Sequence, residues 1–253
     1  MKFADAHVHI GFFPCEAKKG KLYYYSPEEV FQSLYDAKIG EFIFSSTDAV
    51  FFTEHQSFVQ DEIRKMLLIS NGRGHAFCWI TNEMAEHDPD FTFLDALPYA
   101  GIKLHPRESD WSKNPSGLNK IFCVAKQKSF PIMFHADDDF PPDLYTDFLQ
   151  AYPDVKVCMA HARPVETIVR VMEKFRQVYT DISFAPMENV SKLFMNRELL
   201  PRVMFGSDLP APQRFFDQDM SSYLKKILED LSVFYLPPYR DVFCKNMKRF
   251  LQK

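Results

Sequence analysis

Residues 131–161 read PIMFHADDDFPPDLYTDFLQAYPDVKVCMAH, and this stretch decides the fold. It begins and ends with short apolar runs, at 131–135 and 155–161, which have the length and composition of buried strands. The segment 142–151 between them is predicted to be helical. A strand, a helix and a second strand in about thirty residues form the pattern of a parallel βαβ unit.

The same unit recurs along all 253 residues. The predicted strands are residues 3–9, 41–46, 75–80, 101–105, 131–135, 155–161, 178–183 and 202–207. The predicted helices are a first one between Ser26 and Gly40, then 58–70, 91–97, 117–128, 142–151, 165–177, 188–197, 220–231 and 239–251. Eight buried strands alternating with helices are the number that closes a (β/α)8 TIM barrel.

An open, doubly wound sheet is the alternative fold. It predicts a glycine-rich turn after the first strand, but Gly11 is followed by Phe12-Phe13-Pro14. We therefore expect an α/β protein with a single TIM-barrel domain over residues 1–253.

The start of the first helix has the clearest local signal. Ser26 is an N-cap residue, Pro27 occupies the first helical position, and Glu29 completes a capping box. We expect a well-defined helix here.

Composition limits the function classes. The chain is 46% hydrophobic and 25% charged, which excludes a disordered protein, and its net charge of −4 disfavours a nucleic-acid partner. Its five cysteines are odd in number and form no CxxC pair, which suggests a reducing, cytoplasmic compartment. No apolar run approaches the roughly 18 residues of a membrane span, so we expect a small-molecule partner and no membrane partner.

The first strand carries Asp5-Ala6-His7-Val8-His9. With a period of two, the three polar side chains are expected on one face of the strand. Two imidazoles at this spacing can bind one cation, although two structural histidines would give the same pattern.

Three further strands end in a metal-ligand type of residue: His135, His161 and Asp208. Because barrel enzymes build their sites at the carboxyl ends of the strands, all these side chains are expected at one mouth. Imidazoles with one carboxylate suit Zn, Fe, Mn or Co better than Mg or Ca.

This arrangement resembles the amidohydrolase superfamily. The strings DAHVHIG, GIKLHP, PIMFHAD, MAHARP, YTDIS and FGSDLP are similar to its amidohydrolase-related (amidohydrolase 2) branch with a shortened barrel. The resemblance extends into FCKNMKRF near the end of the chain and therefore covers nearly all of it. It implies a metal-dependent hydrolase, and because the branch also contains non-oxidative decarboxylases, it leaves the reaction open.

The resemblance also implies roles for particular residues. His7, His9, His135 and Asp208 would bind a single divalent metal, most favourably zinc. His161 would adjoin the metal as an acid–base group, with a further metal ligand as its other possible role. Asp208 would move a proton between a metal-activated water and the leaving group.

Four cationic or imidazole side chains are predicted to bind an anionic substrate at the mouth. Arg163 stands where many relatives have glycine and suits a substrate carboxylate, although an ion pair with a loop acid is an alternative. Lys103 is expected to be unmodified, with His105 and Arg107 just past it. Asp5 and Asp181 are each left open between a role at the site and a local structural role.

Three other functions remain open from the sequence. A decarboxylase of the aminocarboxymuconate-semialdehyde type could use the same metal site. A catalytically silent binding barrel would have no need for the full set of metal ligands. A TatD-like DNase is disfavoured because Lys103 occupies the place of a glutamate in those enzymes.

Overall fold

The computed structural model describes residues 3–15, 21–51, 56–214 and 219–252. Its strands are β1 Phe3–Cys15, β2 Lys21–Tyr25, β3 Ile39–Ser46, β4 Gly74–Trp79, β5 Gly101–Leu104, β6 Ile132–Phe134, β7 Val157–Met159, β8 Val178–Asp181 and β9 Val203–Met204. Its α-helices are α1 Pro27–Asp36, α2 Asp48–Phe51, α3 Gln56–Ser70, α4 Asn82–His87, α5 Pro115–Lys128, α6 Thr146–Ala151, α7 Val165–Lys174, α8 Met187–Met195, α9 Met220–Asp230 and α10 Asn246–Leu251.

The strands form one curled sheet in the order β2-β1-β3-β4-β5-β6-β7-β8-β9. All neighbouring pairs are parallel except β1 with β2. The segment that follows β9 pairs with β1 and closes the barrel: Ala6 N donates to Phe205 O at 2.8 Å, and Asp208 N donates to His7 O at 2.8 Å. The eight parallel strands thus confirm the predicted TIM-barrel fold, with β2 as an added antiparallel strand.

The register of the strands shows which side chains face the inside of the barrel. Trp79, Lys103, Met133, Cys158 and Tyr179 are consecutive partners on β4 to β8 and therefore point to the same face. Met133, Cys158 and Tyr179 belong to a buried cluster that α10 closes from below. The cluster consists of Ala4, Ala6, Ile43, Phe77, Met133, Cys158, Tyr179, Met204, Met247 and Phe250.

A β-bulge in β1 directs side chains into the mouth. Asp5 pairs with Phe42 of β3, whereas Val8 pairs with Phe44, so β1 contains one extra residue between them. The extra residue reverses the alternation of side chains. The simple period-two expectation for Asp5 is therefore wrong: its carboxylate accepts backbone hydrogen bonds from His7 N at 3.1 Å and Ser207 N at 2.9 Å.

Several predicted elements differ in detail. The capping box of α1 is confirmed, since Glu29 N donates to Ser26 Oγ and Ser26 N to a Glu29 oxygen. The predicted helix 91–97 is only a 3₁₀ turn, Thr92–Asp95, and β2, α2 and α4 were not predicted. The strand predicted at 155–161 stops at Met159, because His161 and Ala162 have positive φ angles of 71° and 48°.

Within the described part of the chain, none of the helices is both long and apolar enough to cross a membrane.

Candidate metal centre

Three side chains at the mouth form a compact group of nitrogen and oxygen donors. His7 Nε2 and His9 Nε2 lie 3.1 Å apart. Asp208 Oδ1 lies 3.3 Å from His7 Nε2 and 3.1 Å from His9 Nε2. Ligands bound tetrahedrally at 2.0–2.1 Å from one cation are separated by roughly 3.3 Å, so this triangle fits a metal such as zinc.

The hydrogen bonds of the two imidazoles leave the facing nitrogens available. His7 Nδ1 donates to Asp181 Oδ2 at 3.1 Å, so its Nε2 carries a lone pair. His9 Nδ1 lies 2.9 Å from Ser45 Oγ, and in the tautomer that donates to this hydroxyl its Nε2 also carries a lone pair. Two lone pairs cannot hydrogen-bond to each other, whereas a cation between them satisfies both.

Electrostatics favour the protonation states that bind metals. Burial lowers the pKa of His9 to about 4 and holds the pKa of His161 well below its usual value, so both rings are neutral near pH 7. Burial alone would raise the pKa of Asp208, but the adjacent His7 and His9 hold it well below its usual range. The centre therefore combines the neutral ring of His9 with the ionised carboxylate of Asp208.

His161 and His135 form a second facing pair. His161 Nε2 and His135 Nδ1 lie 2.9 Å apart. His161 Nδ1 is 2.9 Å from Ser183 Oγ and 3.2 Å from Ser183 O, and His135 Nε2 donates to Asp137 Oδ2 at 3.0 Å. The donor atoms of His7, His161 and Asp181 also lie close together, whereas no described contact joins His135 directly to His7, His9 or Asp208.

The side chain of Lys103, on β5, extends to the metal centre. It is fully buried, and its Nζ donates to His7 Nε2 at 2.9 Å. Burial lowers the pKa of Lys103 against the opposing influence of Asp208 and Asp181. A cation bound at His7 Nε2 would replace this contact, and the lowered pKa eases loss of the ammonium charge.

The other predicted substrate residues occupy different surroundings. Arg107 is about half exposed and forms ion pairs with Asp137 at 2.6 Å and Asp139 at 2.9 Å, which engage its guanidinium. Arg163 is half-buried, and its Nε has no hydrogen-bond partner among the described residues. His105 is stacked on His135, with ring centroids 4.0 Å apart.

The contacts of Asp181 show its role at the site, which the sequence left open. Its Oδ2 accepts from His7 Nδ1, and its Oδ1 accepts from the backbone N–H groups of His161 at 3.3 Å and Ser183 at 3.0 Å. Burial would raise its pKa, but His7 and His161 hold it well below its usual range. It therefore orients the His7 imidazole and holds the backbone of the turn that carries His161, and its position at the end of a strand was the available signal.

Ser45, Asp137 and Ser183 were not predicted as site residues. Each orients an imidazole through a contact between separate elements or across a turn. Asp137, two residues after His135, is the only one of the three with a spacing that sequence reasoning could have used.

The comparisons with known proteins give the family. The family model described as "Amidohydrolase" matches residues 4–233. The chain belongs to the amidohydrolase family. The resemblance inferred from the strand-end motifs is thus confirmed, and family membership makes the protein a metal-dependent enzyme of the amidohydrolase type.

Solved structures share the fold at low sequence identity. A protein described as amidohydrolase II has a TM-score of 0.68 and 14% identity, with 99% of this chain and 100% of that chain covered. A 2,6-dihydroxybenzoate decarboxylase from Rhizobium has a TM-score of 0.63 and 12% identity, with coverages of 99% and 98%. A TatD-like protein from Archaeoglobus fulgidus has a TM-score of 0.62 and 13% identity, with coverages of 98% and 99%. Comparison with curated proteins gives no match.

Proposed function

We propose that this amidohydrolase-family protein uses one divalent cation, most favourably zinc, to hydrolyse a small amide, ester or lactone that carries a carboxylate. The observation that carries the proposal is the triangle of His7, His9 and Asp208, whose donor atoms lie 3.1–3.3 Å apart. When bound, the cation supplies Lewis-acid chemistry: it polarises a carbonyl and lowers the pKa of a coordinated water.

The chain's own residues supply proton transfer. Asp208 is ionised, so it can accept a proton from the attacking water and return it to the leaving group. His161 is neutral, and Ser183 contacts its Nδ1. Its Nε2, which faces His135 Nδ1 at 2.9 Å, is the nitrogen that exchanges a proton at the reacting atoms. Both groups are buried, and a low-dielectric surrounding strengthens these interactions.

Two cationic side chains, Arg163 and Lys103, support an anionic substrate. Arg163 Nε is buried without a partner among the described residues, and Lys103 brings an amino group into the same mouth as the imidazoles. A substrate carboxylate would pair with such groups. We propose neither a nucleic-acid nor a membrane partner, because the chain has a net charge of −4.

The proposed compartment is the cytoplasm. Cys78, Cys123, Cys158 and Cys244 are free thiols, which a reducing compartment maintains.

The test starts with the metal content of the purified protein. Elemental analysis is expected to find about one divalent cation per chain, and His9→Asn is expected to lose most of it. His75→Asn is the matched control, because His75 lies near the start of β4, at the opposite end of the strands from the centre. A protein that takes up neither zinc nor manganese would contradict the proposal.

Turnover is then measured on paired substrates. Carboxylated lactones, esters and amides are compared with their neutral methyl-ester counterparts, and aromatic acids are assayed for release of carbon dioxide. We expect hydrolysis with a strong preference for the carboxylated member of each pair. Carbon dioxide release without hydrolysis would replace the proposal by a decarboxylase on the same centre.

Lys103 is proposed to remain unmodified. The triangle of His7, His9 and Asp208 supplies donors for one cation without a bridging carbamate, and Lys103 Nζ lies 2.9 Å from His7 Nε2 as an amine. Two cations bridged through a carboxylated Lys103 in a crystal structure would overturn this part of the proposal.

A further inference from the structure

Trp79 has no role in the proposed chemistry, yet it lines the same mouth. It is the last residue of β4 and the register partner of Lys103, whose amino group reaches His7. Side chains in register on parallel strands point to the same face, so Trp79 lies inside the barrel, at the end where the metal centre is.

The indole is fixed by rings and charge on several sides. Its ring is stacked on His105 at 5.4 Å with an interplanar angle of 5°, and it packs against His9 at 5.5 Å. Lys103 Nζ lies 5.7 Å from its ring centroid. His105 is in turn stacked on His135. The indole therefore has little freedom to turn away from the centre.

The polar atom of this indole has no partner. Trp79 is only 6% exposed, and its Nε1 is buried without a hydrogen-bond partner among the described residues. An indole N–H is a donor only, and buried donors in native proteins are rarely left unpaired. Nδ1 of the stacked His105 is buried and unpaired as well. An acceptor from outside the chain is therefore expected next to these rings.

We propose that Trp79 determines substrate specificity by donating its indole N–H to a carboxylate oxygen of the substrate. This inference rests on the proposed function, because it takes the carboxylate-bearing substrate as the ligand. An oxygen anion fits because the N–H can only donate, and a carboxylate oxygen is a strong acceptor. Trp79 thus selects substrates that carry a carboxylate, without taking part in proton transfer.

The test observes the indole directly with benzoate, which has a carboxylate but no amide, ester or lactone bond. In ¹⁵N-labelled, metal-loaded protein the two tryptophans give two indole N–H signals, and Trp79→Phe assigns them. Benzoate is expected to shift the Trp79 N–H proton downfield in wild-type protein. Benzamide, its uncharged counterpart, is expected to bind more weakly and to shift the signal less.

Affinity provides the second measurement. Trp79→Phe keeps a stacking ring and removes the donor, so its Kd for benzoate is expected to rise about tenfold. Trp111→Phe is the matched control, because Trp111 is also buried with an unpaired Nε1 but has no described ring contact with the imidazoles; its Kd should change less than twofold.

Three results would overturn the inference. They are an unshifted Trp79 signal at saturation, an unchanged Kd in Trp79→Phe, and a wild-type protein that does not bind benzoate. The first would mean that water alone satisfies the indole. The wild-type spectrum decides the matter even if Trp79→Phe folds poorly. Metal content and hydrolysis are measured in separate experiments. A negative result with benzoate therefore leaves the proposed hydrolase function standing, and failure of the hydrolase proposal is seen in its own assays.

Discussion

At the scale of single residues, His161 is a neutral imidazole that could either transfer protons or bind the metal. The ring is buried, its Nδ1 faces Ser183, and its Nε2 faces His135. Since His7, His9 and Asp208 already form a closed triangle of donors, we expect His161 to transfer protons rather than hold the metal. His161→Asn should keep a near-normal metal content and lose about 10²–10⁴-fold in turnover.

Both quantities are measured on one preparation of His161→Asn, with His9→Asn as the variant that loses the metal. Asparagine keeps a hydrogen-bonding side chain of similar reach but cannot titrate. Loss of metal comparable to that of His9→Asn would show that His161 is a ligand.

At the scale of elements, Asp48 joins the start of α2 to β1. Its Oδ1 accepts from Phe12 N at 2.7 Å, its Oδ2 is buried without a partner among the described residues, and Gly11 leaves room for the carboxylate by lacking a Cβ. Burial raises the pKa of Asp48 from 3.8 to about 6. The folded state therefore holds this proton more tightly than the unfolded chain, and its free energy of unfolding falls as the pH rises from about 4 to about 6.

Asp48→Asn should remove this pH-dependent loss while keeping the oxygen that accepts from Phe12 N. The full difference corresponds to about 3 kcal/mol, and we expect the variant to be more stable than wild type by about 1–3 kcal/mol at pH 8. Urea unfolding at pH 4, 6 and 8 measures it, with Asp90→Asn as the control at an exposed carboxylate. An equal stability difference at all three pH values would refute the assignment to Asp48.

The same scale shows what the sequence could predict. Hydrophobic runs that end in His135 or Asp208 are local signals, and they identified the barrel and predicted the end where the candidate site lies. The bulge in β1 depends on pairing with β3, which no local pattern contains, so the direction of Asp5 was wrong. The partner of Arg107 was missed for a similar reason, because Asp137 approaches it from the loop after the next strand.

At the scale of the whole molecule, the candidate metal centre lies where the barrel closes. His7 and His9 belong to β1, and Asp208 follows β9, so one cation would tie the first strand to the last. Among the contacts at this seam are hydrogen bonds from the amides of Ala6 and Asp208. Metal binding should therefore stabilise the seam more than the seams between inner strands.

Removing the metal with a chelator tests this expectation. For a cation present at about 100 times its Kd, the loss is about 2.7 kcal/mol, which lowers the Tm by roughly 5–10 °C. Hydrogen exchange should become up to about 100-fold faster at the amides of Ala6 and Asp208. The amide of Ile102, which donates to Pro131 O between β5 and β6, is the internal control and should change less. Equal acceleration at all three amides would mean that the cation stabilises the fold as a whole, and that barrel closure does not depend on it in particular.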